Sequence, residues 1–277
     1  MRDLMLLERP SRTTPDVLGL VPAEISMART ARVWLTMAQR CVRLSRRNVE
    51  ALVTSLALPV MVMVLFVYLF GGAINTGTRY VTYVVPGVLV LCTGMGSANT
   101  AVAVSQDMTT GIIDRFRSMD VSGAAVLSGH VAASVVRNIA STVLVLGVAL
   151  LIGFRPHPGV NAALAAIGIL LVFSLAISWV AATFGLLAGS PEAAAGFTLG
   201  LGFLPYPSSA FVRIATMPHW LQGFARHQPV TPVVESIRGL LLGTPVGSDP
   251  WTALAWCVGL VLVAAAASRV LFSRRTA

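Results

Sequence analysis

Lysine is absent: all 20 basic residues of the 277-residue chain are arginine. That excludes a Walker A lysine for ATP, a Schiff-base lysine and a Ser-x-x-Lys acylation site. The chain therefore cannot be its own P-loop ATPase. Charge of either sign is scarce, at 11% of residues, where a soluble domain usually carries about 25%. Only 11 residues are acidic, and no acidic pair falls inside an apolar run, so neither a metal site nor a carboxylate proton relay is indicated. Cys41, Cys92 and Cys257 are scattered and lack metal-ligand spacing, which reads as reduced, packing cysteine. Met1–Gly19 has no apolar run between charge and cleavage site, so a cleavable signal peptide is not expected.

What is abundant is apolar surface: 56% of residues are hydrophobic and mean hydropathy is +0.79. A hydrocarbon core of about 30 Å needs about 20 apolar helical residues. Six segments answer to that, at about 53–73, 82–105, 131–154, 162–189, 193–212 and 251–272. The expected fold is all-α: a six-span polytopic domain over 51–277, an amphipathic interfacial helix over 26–50 and a flexible cytoplasmic N-terminus over 1–25. Pro59 should kink the first span, and Pro205 and Pro207 interrupt the fifth near its far end. Arg137 lies about two turns into the third span, where its long side chain can snorkel to the interface.

Arginine asymmetry sets the orientation. Arg79, Arg155, Arg213, Arg226 and Arg238 fall on one side of the spans, and the opposite side holds 14. Both termini are thus expected in the cytoplasm. Arginines flanking apolar segments point to lipid headgroups as partners and not to nucleic acid. Within 26–47, Arg29, Arg32, Arg40, Arg43 and Arg47 recur at helical spacing. Val33, Trp34, Met37, Cys41 and Leu44 fall largely on the other face, as in a helix lying on the inner leaflet.

The stretch from Pro205 to Pro250 is too apolar for a simple outer loop. Trp220 and its neighbours suggest one short helix. Gln228-Pro229-Val230-Thr231-Pro232 opens a second, whose start is Thr231-Pro232, whose Glu235 and Arg238 pair at i,i+3, and whose stop is Gly243. Such short apolar helices fit a re-entrant pair in the outer leaflet. On the cytoplasmic side, the 106–120 loop places Met108, Ile112 and Phe116 on one stripe with charge around it. That pattern fits either a docking helix or an ordinary positive-inside loop. Gly185 with Gly189, and Gly196 with Gly200, are small-x-x-x-small pairs suited to close helix packing. Leu91, Met95, Phe197 and Phe203, of spans two and five, are candidates for lining a path for amphiphiles, with packing against neighbouring helices as the alternative. No histidine and serine face each other within spans, which disfavours an intramembrane hydrolase; a stand-alone carrier or channel is the other rival.

Several ordered stretches together resemble the permease subunit of type-2 ABC exporters, in particular the daunorubicin-resistance group. They are Arg47-Asn48-Val49-Glu50-Ala51-Leu52, Phe66 to Ile74, Tyr83-Val84-Val85-Pro86-Gly87, Asp107-Met108 with Gly111 to Ser118, Met217-Pro218, Trp220-Leu221, Gln228 to Glu235 and Arg238 to Leu241. The resemblance implies a paired permease core (with itself or a sibling) bound to two copies of a separate ATPase, which would carry ATP and Mg, with no cofactor on this chain. It also implies a bacterial cytoplasmic membrane. Asp107, Met108, Gly111, Ile112, Asp114, Arg115, Phe116 and Arg117 then belong to a coupling helix that docks on the ATPase. Trp220, Pro229, Thr231, Pro232, Glu235 and Arg238 mark the external re-entrant helices.

Overall fold

The computed structural model describes residues 35–36, 38–43, 49–74, 77–112 and 123–275. The expected N-terminus over 1–25 lies outside the described residues, as do most of the interfacial helix and residues 113–122 of the cytoplasmic loop. Among the described residues every regular element is helical, as the all-α reading anticipates. They are α1 (Val49–Leu65) followed by a π-helical turn Phe66–Phe70, α2 (Tyr80–Thr109), α3 (Gly123–Ile152), α4 (Val160–Leu187) and α5 (Pro191–Phe203). A 3-10 turn Ile214–Thr216 leads into α6 (His219–His227), α7 (Val230–Leu242) and α8 (Asp249–Arg275).

Among the described residues, four helices are long and apolar enough to cross a bilayer: α2, α3 from Ala125, α4, and α8 to Leu271. The first expected span falls on α1 and its π turn. The fifth is cut short: α5 has 13 residues, or about 20 Å of helix, and 204–212 continue as turns. The reason is the one the prolines supply, since Pro205 and Pro207 lack the N–H groups that would extend the helix.

α2 is the axis of the molecule. It packs on α1, α3, α4, α5 and α7, and 83% of its apolar window is buried against 17–33% for the other three long helices. Val84, Val85, Val88, Leu91 and Cys92 are wholly buried on it and meet Phe173 of α4, Val145 of α3 and Val233 of α7 in one core. The other long helices keep an apolar outer face exposed, for instance Val143, Leu164 and Leu262. In a bilayer this face meets lipid tails, so its exposure carries no penalty.

Polar side chains tie the long helices together inside this core. Asn138 Nδ2 of α3 donates to Ser97 Oγ of α2 (3.2 Å) and Ser174 Oγ of α4 (2.9 Å), and Ser178 Oγ donates to Ser134 Oγ at 2.8 Å. Arg137 corrects the snorkelling expectation. α3 begins at Gly123, so Arg137 lies well inside it. Its guanidinium turns onto α2, donating to Gly96 O (3.1 Å) and Thr100 Oγ1 (3.0 Å). Of the paired glycines, Gly185 alone makes a close approach: a Cβ there would stand 2.5 Å from Ala101 O, whereas Gly189, Gly196 and Gly200 have open space.

Candidate functional site

Three regions strung along α2 position the residues singled out by sequence. At its Tyr80 end, the turns of 204–212 pack against α2 and α7 without forming a helix, with Ser208, Ser209, Ala210 and Phe211 buried. Backbone at such depth must have its carbonyls satisfied by protein. Tyr80 OH donates to Phe211 O and Tyr83 OH to Ser209 O, each at 3.0 Å. Arg238, buried on α7, donates to Tyr83 O through Nε and Nη2 and to Ser209 O through Nη2 at 2.7 Å. Its Nη1 meets Glu235 Oε1 at 2.6 Å, the i,i+3 pair expected from sequence, and the guanidinium lies 3.8 Å over the Tyr83 ring. Gln228 Nε2 donates to Pro207 O. Gly87 lets this strap reach the helix, because a Cβ there would stand 2.6 Å from Ala210.

The two short helices expected between Pro205 and Pro250 form as α6 and α7, with one correction. α7 starts at Val230 with Pro229 at its cap position, one residue before the expected Thr231-Pro232 start. The Thr231 hydroxyl is engaged with Ala225 O, joining the last turn of α6 to the first of α7. Gly243 ends the helix at φ 68°, a left-handed conformation that glycine adopts without a Cβ clash. Pro232 is buried in α7, whereas Trp220 of α6 is 80% exposed.

Midway along α2, an open cavity of about 310 Å³ separates it from α5, lined among others by Met95, Asn99, Thr198, Gly202, Phe203 and Tyr206. Of the four residues named as candidates for a substrate path, Met95 and Phe203 line this cavity. Leu91 is wholly buried in the core, and Phe197 faces outward against Phe184 with ring centroids 6.1 Å apart. Asn99, Thr198 and Tyr206 give the apolar walls a few polar groups, the mix typical of sites for small amphiphiles. Sequence reasoning missed these three because each is a commonplace residue in a span, and only the facing of α2 and α5 unites them.

At the inner end of α2, Asp107 is almost buried and turned toward the protein. Arg40 Nη1 of the interfacial segment and His130 Nε2 of α3 both donate to Asp107 Oδ2, each at 3.0 Å. The Cys41 thiol borders both Arg40 and His130. Partial burial alone would depress the Arg40 guanidinium, but the hydrogen bond to Asp107 and its negative charge hold it above its ordinary value. Met108 packs half-buried on a small cluster with Leu127, Val131 and Leu186. α2 ends at Thr109, Gly111 turns at φ 69°, and Ile112 follows. Asp114, Arg115, Phe116 and Arg117 lie outside the described residues. The sequence placed Arg40 and Asp107 in separate readings and did not single out His130. Their shared position, at the foot of adjacent helices, was the signal available for joining Asp107 to His130.

A multi-pass helical membrane protein with a central helix, an outer strap held by buried tyrosines and arginine, and a cavity beside the axis is the class these features define. No described group of three or more His, Cys, Asp or Glu residues could hold a metal ion. The chain belongs to the ABC-2 type transporter family, which it matches over residues 32–242. It is 31% identical over 227 residues to the daunorubicin resistance ABC transporter permease protein DrrB1 of Streptomyces coeruleorubidus, covering 81% of this chain and 77% of that protein. It is 24% identical over 261 residues to the probable doxorubicin resistance ABC transporter permease protein DrrC of Mycobacterium tuberculosis, covering 91% and 94%. The doxorubicin resistance permease DrrB of that organism is 24% identical over 262 residues, covering 89% and 90%. The chain is a transmembrane permease subunit of an ABC exporter.

Proposed function

We propose that this permease works as a pair of permease subunits bound to two copies of a separate ATPase, moving an amphiphilic drug, antibiotic or lipid outward across a bacterial cytoplasmic membrane. ATP and Mg are bound by the partner, in keeping with the missing lysine. The termini and the 106–120 loop face the cytoplasm, as the arginine asymmetry requires. The names of the relatives, which speak of resistance to daunorubicin and doxorubicin, support an amphiphilic cargo.

The observation that carries the reading is the continuity of α2. One 30-residue helix runs from the root of the cytoplasmic loop, past the cavity, to the outer strap. A push on that loop is transmitted along a rigid rod, and the cavity wall moves with it. Such coupling needs contacts that differ between the states of the ATPase, which the charged and apolar stripe of the loop supplies.

The test is co-purification with a separate ABC ATPase, taken from an adjoining gene where one is found. Arg115→Ala and Phe116→Ala are expected to reduce the retained ATPase severalfold while membrane insertion is unchanged. Unaltered co-purification in both variants removes the docking role. Transport by the permease alone in liposomes supports a stand-alone carrier instead.

A further inference from the structure

The carboxylate at the foot of α2 is turned inward, onto Arg40 and His130. We propose that Asp107 is a positioning residue: by holding Arg40 and His130 on a single oxygen, it makes the interfacial helix, α2 and α3 move as one body when the cytoplasmic loop is pushed. The proposal rests on the docking role of that loop for its consequence, but not for the joint itself.

The geometry argues for a joint. Asp107 sits two residues inside the end of α2, where the chain turns away at Gly111. Arg40 arrives from a helical segment 67 positions earlier, and His130 from the second helical turn of α3. The side chains of Asp107 and His130 are 12% and 8% exposed and that of Arg40 is 26%, so water screens the pairing weakly. Both donors converge on one carboxylate oxygen, so the aspartate ties the interfacial segment to α2 and α3 at a single point, with the Cys41 thiol beside His130. Apolar contact reinforces the site: Cys41, next to Arg40, is 4% exposed and seated in the same junction. Loss of the carboxylate removes the acceptor that the two donors share in a nearly dry site, which loosens the interfacial helix from α2.

Had Asp107 belonged to the docking face, its removal would lower ATPase binding as Arg115→Ala does. As a joint, it predicts a different outcome: the ATPase still binds, and its motion no longer reaches the interfacial helix.

The experiment uses the permease in lipid nanodiscs, alone and with its ATPase. The three native cysteines are buried, so spin labels go to Gln39→Cys and Thr109→Cys, both exposed positions on the two sides of the joint. In the permease alone, the 39–109 distance distribution is expected to be narrow, and to broaden at least twofold in Asp107→Asn and in Arg40→Gln. In the complex, both variants retain the ATPase and its KM for ATP, and kcat changes about tenfold, the usual consequence of losing a charged hydrogen bond. The double variant is no worse than either single, because one joint is broken only once, and Asp107→Glu restores most of the coupling. An unchanged distance distribution in both single variants, or additive effects in the double, overturns the joint. Loss of ATPase from Asp107→Asn returns the residue to the docking face. If the unsubstituted permease binds no ATPase, the docking reading fails, while the distance measurement on the permease alone still decides the joint. Should Asp107→Asn not fold, Arg40→Gln carries the same test from outside the spans.

Discussion

Arg238 serves four acceptors at once: the carbonyl of Tyr83, the carbonyl of Ser209, the carboxylate of Glu235 and the face of the Tyr83 ring. One of these, Ser209 O, lies in the strap, which has no helical bonds of its own, and the other, Tyr83 O, lies in the first turn of α2, so the guanidinium pins the strap to the helix. Glutamine can reach one carbonyl at most, and it gives up both the second bond and the charged pairing with Glu235. Arg238→Gln is therefore expected to cost on the order of 3 kcal/mol, lowering the melting temperature in detergent by roughly 10 °C. Melting followed by gel filtration of heated samples checks this, and an unchanged profile shows that the strap is held by its apolar contacts alone. The pairing of Glu235 with Arg238 was legible from their i,i+3 spacing. The carbonyl acceptors were not, because the strap lies in sequence between α5 and α6 and meets α7 only through tertiary packing.

At the scale of elements, hydropathy located the long helices to within a few residues at most ends, since about 20 apolar residues in a row have few alternatives to a spanning helix. It failed where composition and length part company. Residues 193–212 are apolar enough for a span, yet the helix stops at Phe203 because prolines follow. The third span is longer than its apolar run because Gly123 to His130 fold as helix on Asp107 and the Leu127–Leu186 cluster. Helix α5 therefore contributes mainly one wall of the cavity, and that gives a test of what the cavity does. Gly202 lines it, and a Cβ there meets nothing within 4 Å. Gly202→Phe should leave expression and melting nearly unchanged while filling the space beside Met95 and Phe203. Export of the amphiphilic cargo proposed above, with doxorubicin as the first compound tried, from cells carrying the permease and its ATPase is expected to fall severalfold. Full export with the phenylalanine in place assigns the cargo route to another surface.

For the whole molecule, the question is whether a chain with four helices of full spanning length among its described residues makes the expected six crossings, which would put both termini on one side. α1 and its π turn together run 22 residues without a break from Val49 to Phe70, about 33 Å at helical rise, which suffices for a crossing. α5 alone does not, but its 13 residues are followed by the buried strap, whose carbonyls are met by Tyr80, Tyr83, Arg238 and Gln228. Helix plus strap can complete the crossing because protein, not lipid, surrounds the non-helical part. The expected topology then puts Gly159 outside, Ser190 inside and Gly223 outside. Single cysteines at these positions make this measurable, since Cys41, Cys92 and Cys257 are buried and leave a clean background. In intact cells a membrane-impermeant thiol reagent should label Gly159→Cys and Gly223→Cys, and should reach Ser190→Cys only after permeabilisation. Labelling of positions 190 and 223 from the same side would show that α5 and its strap turn back within the membrane, leaving five crossings and termini on opposite faces.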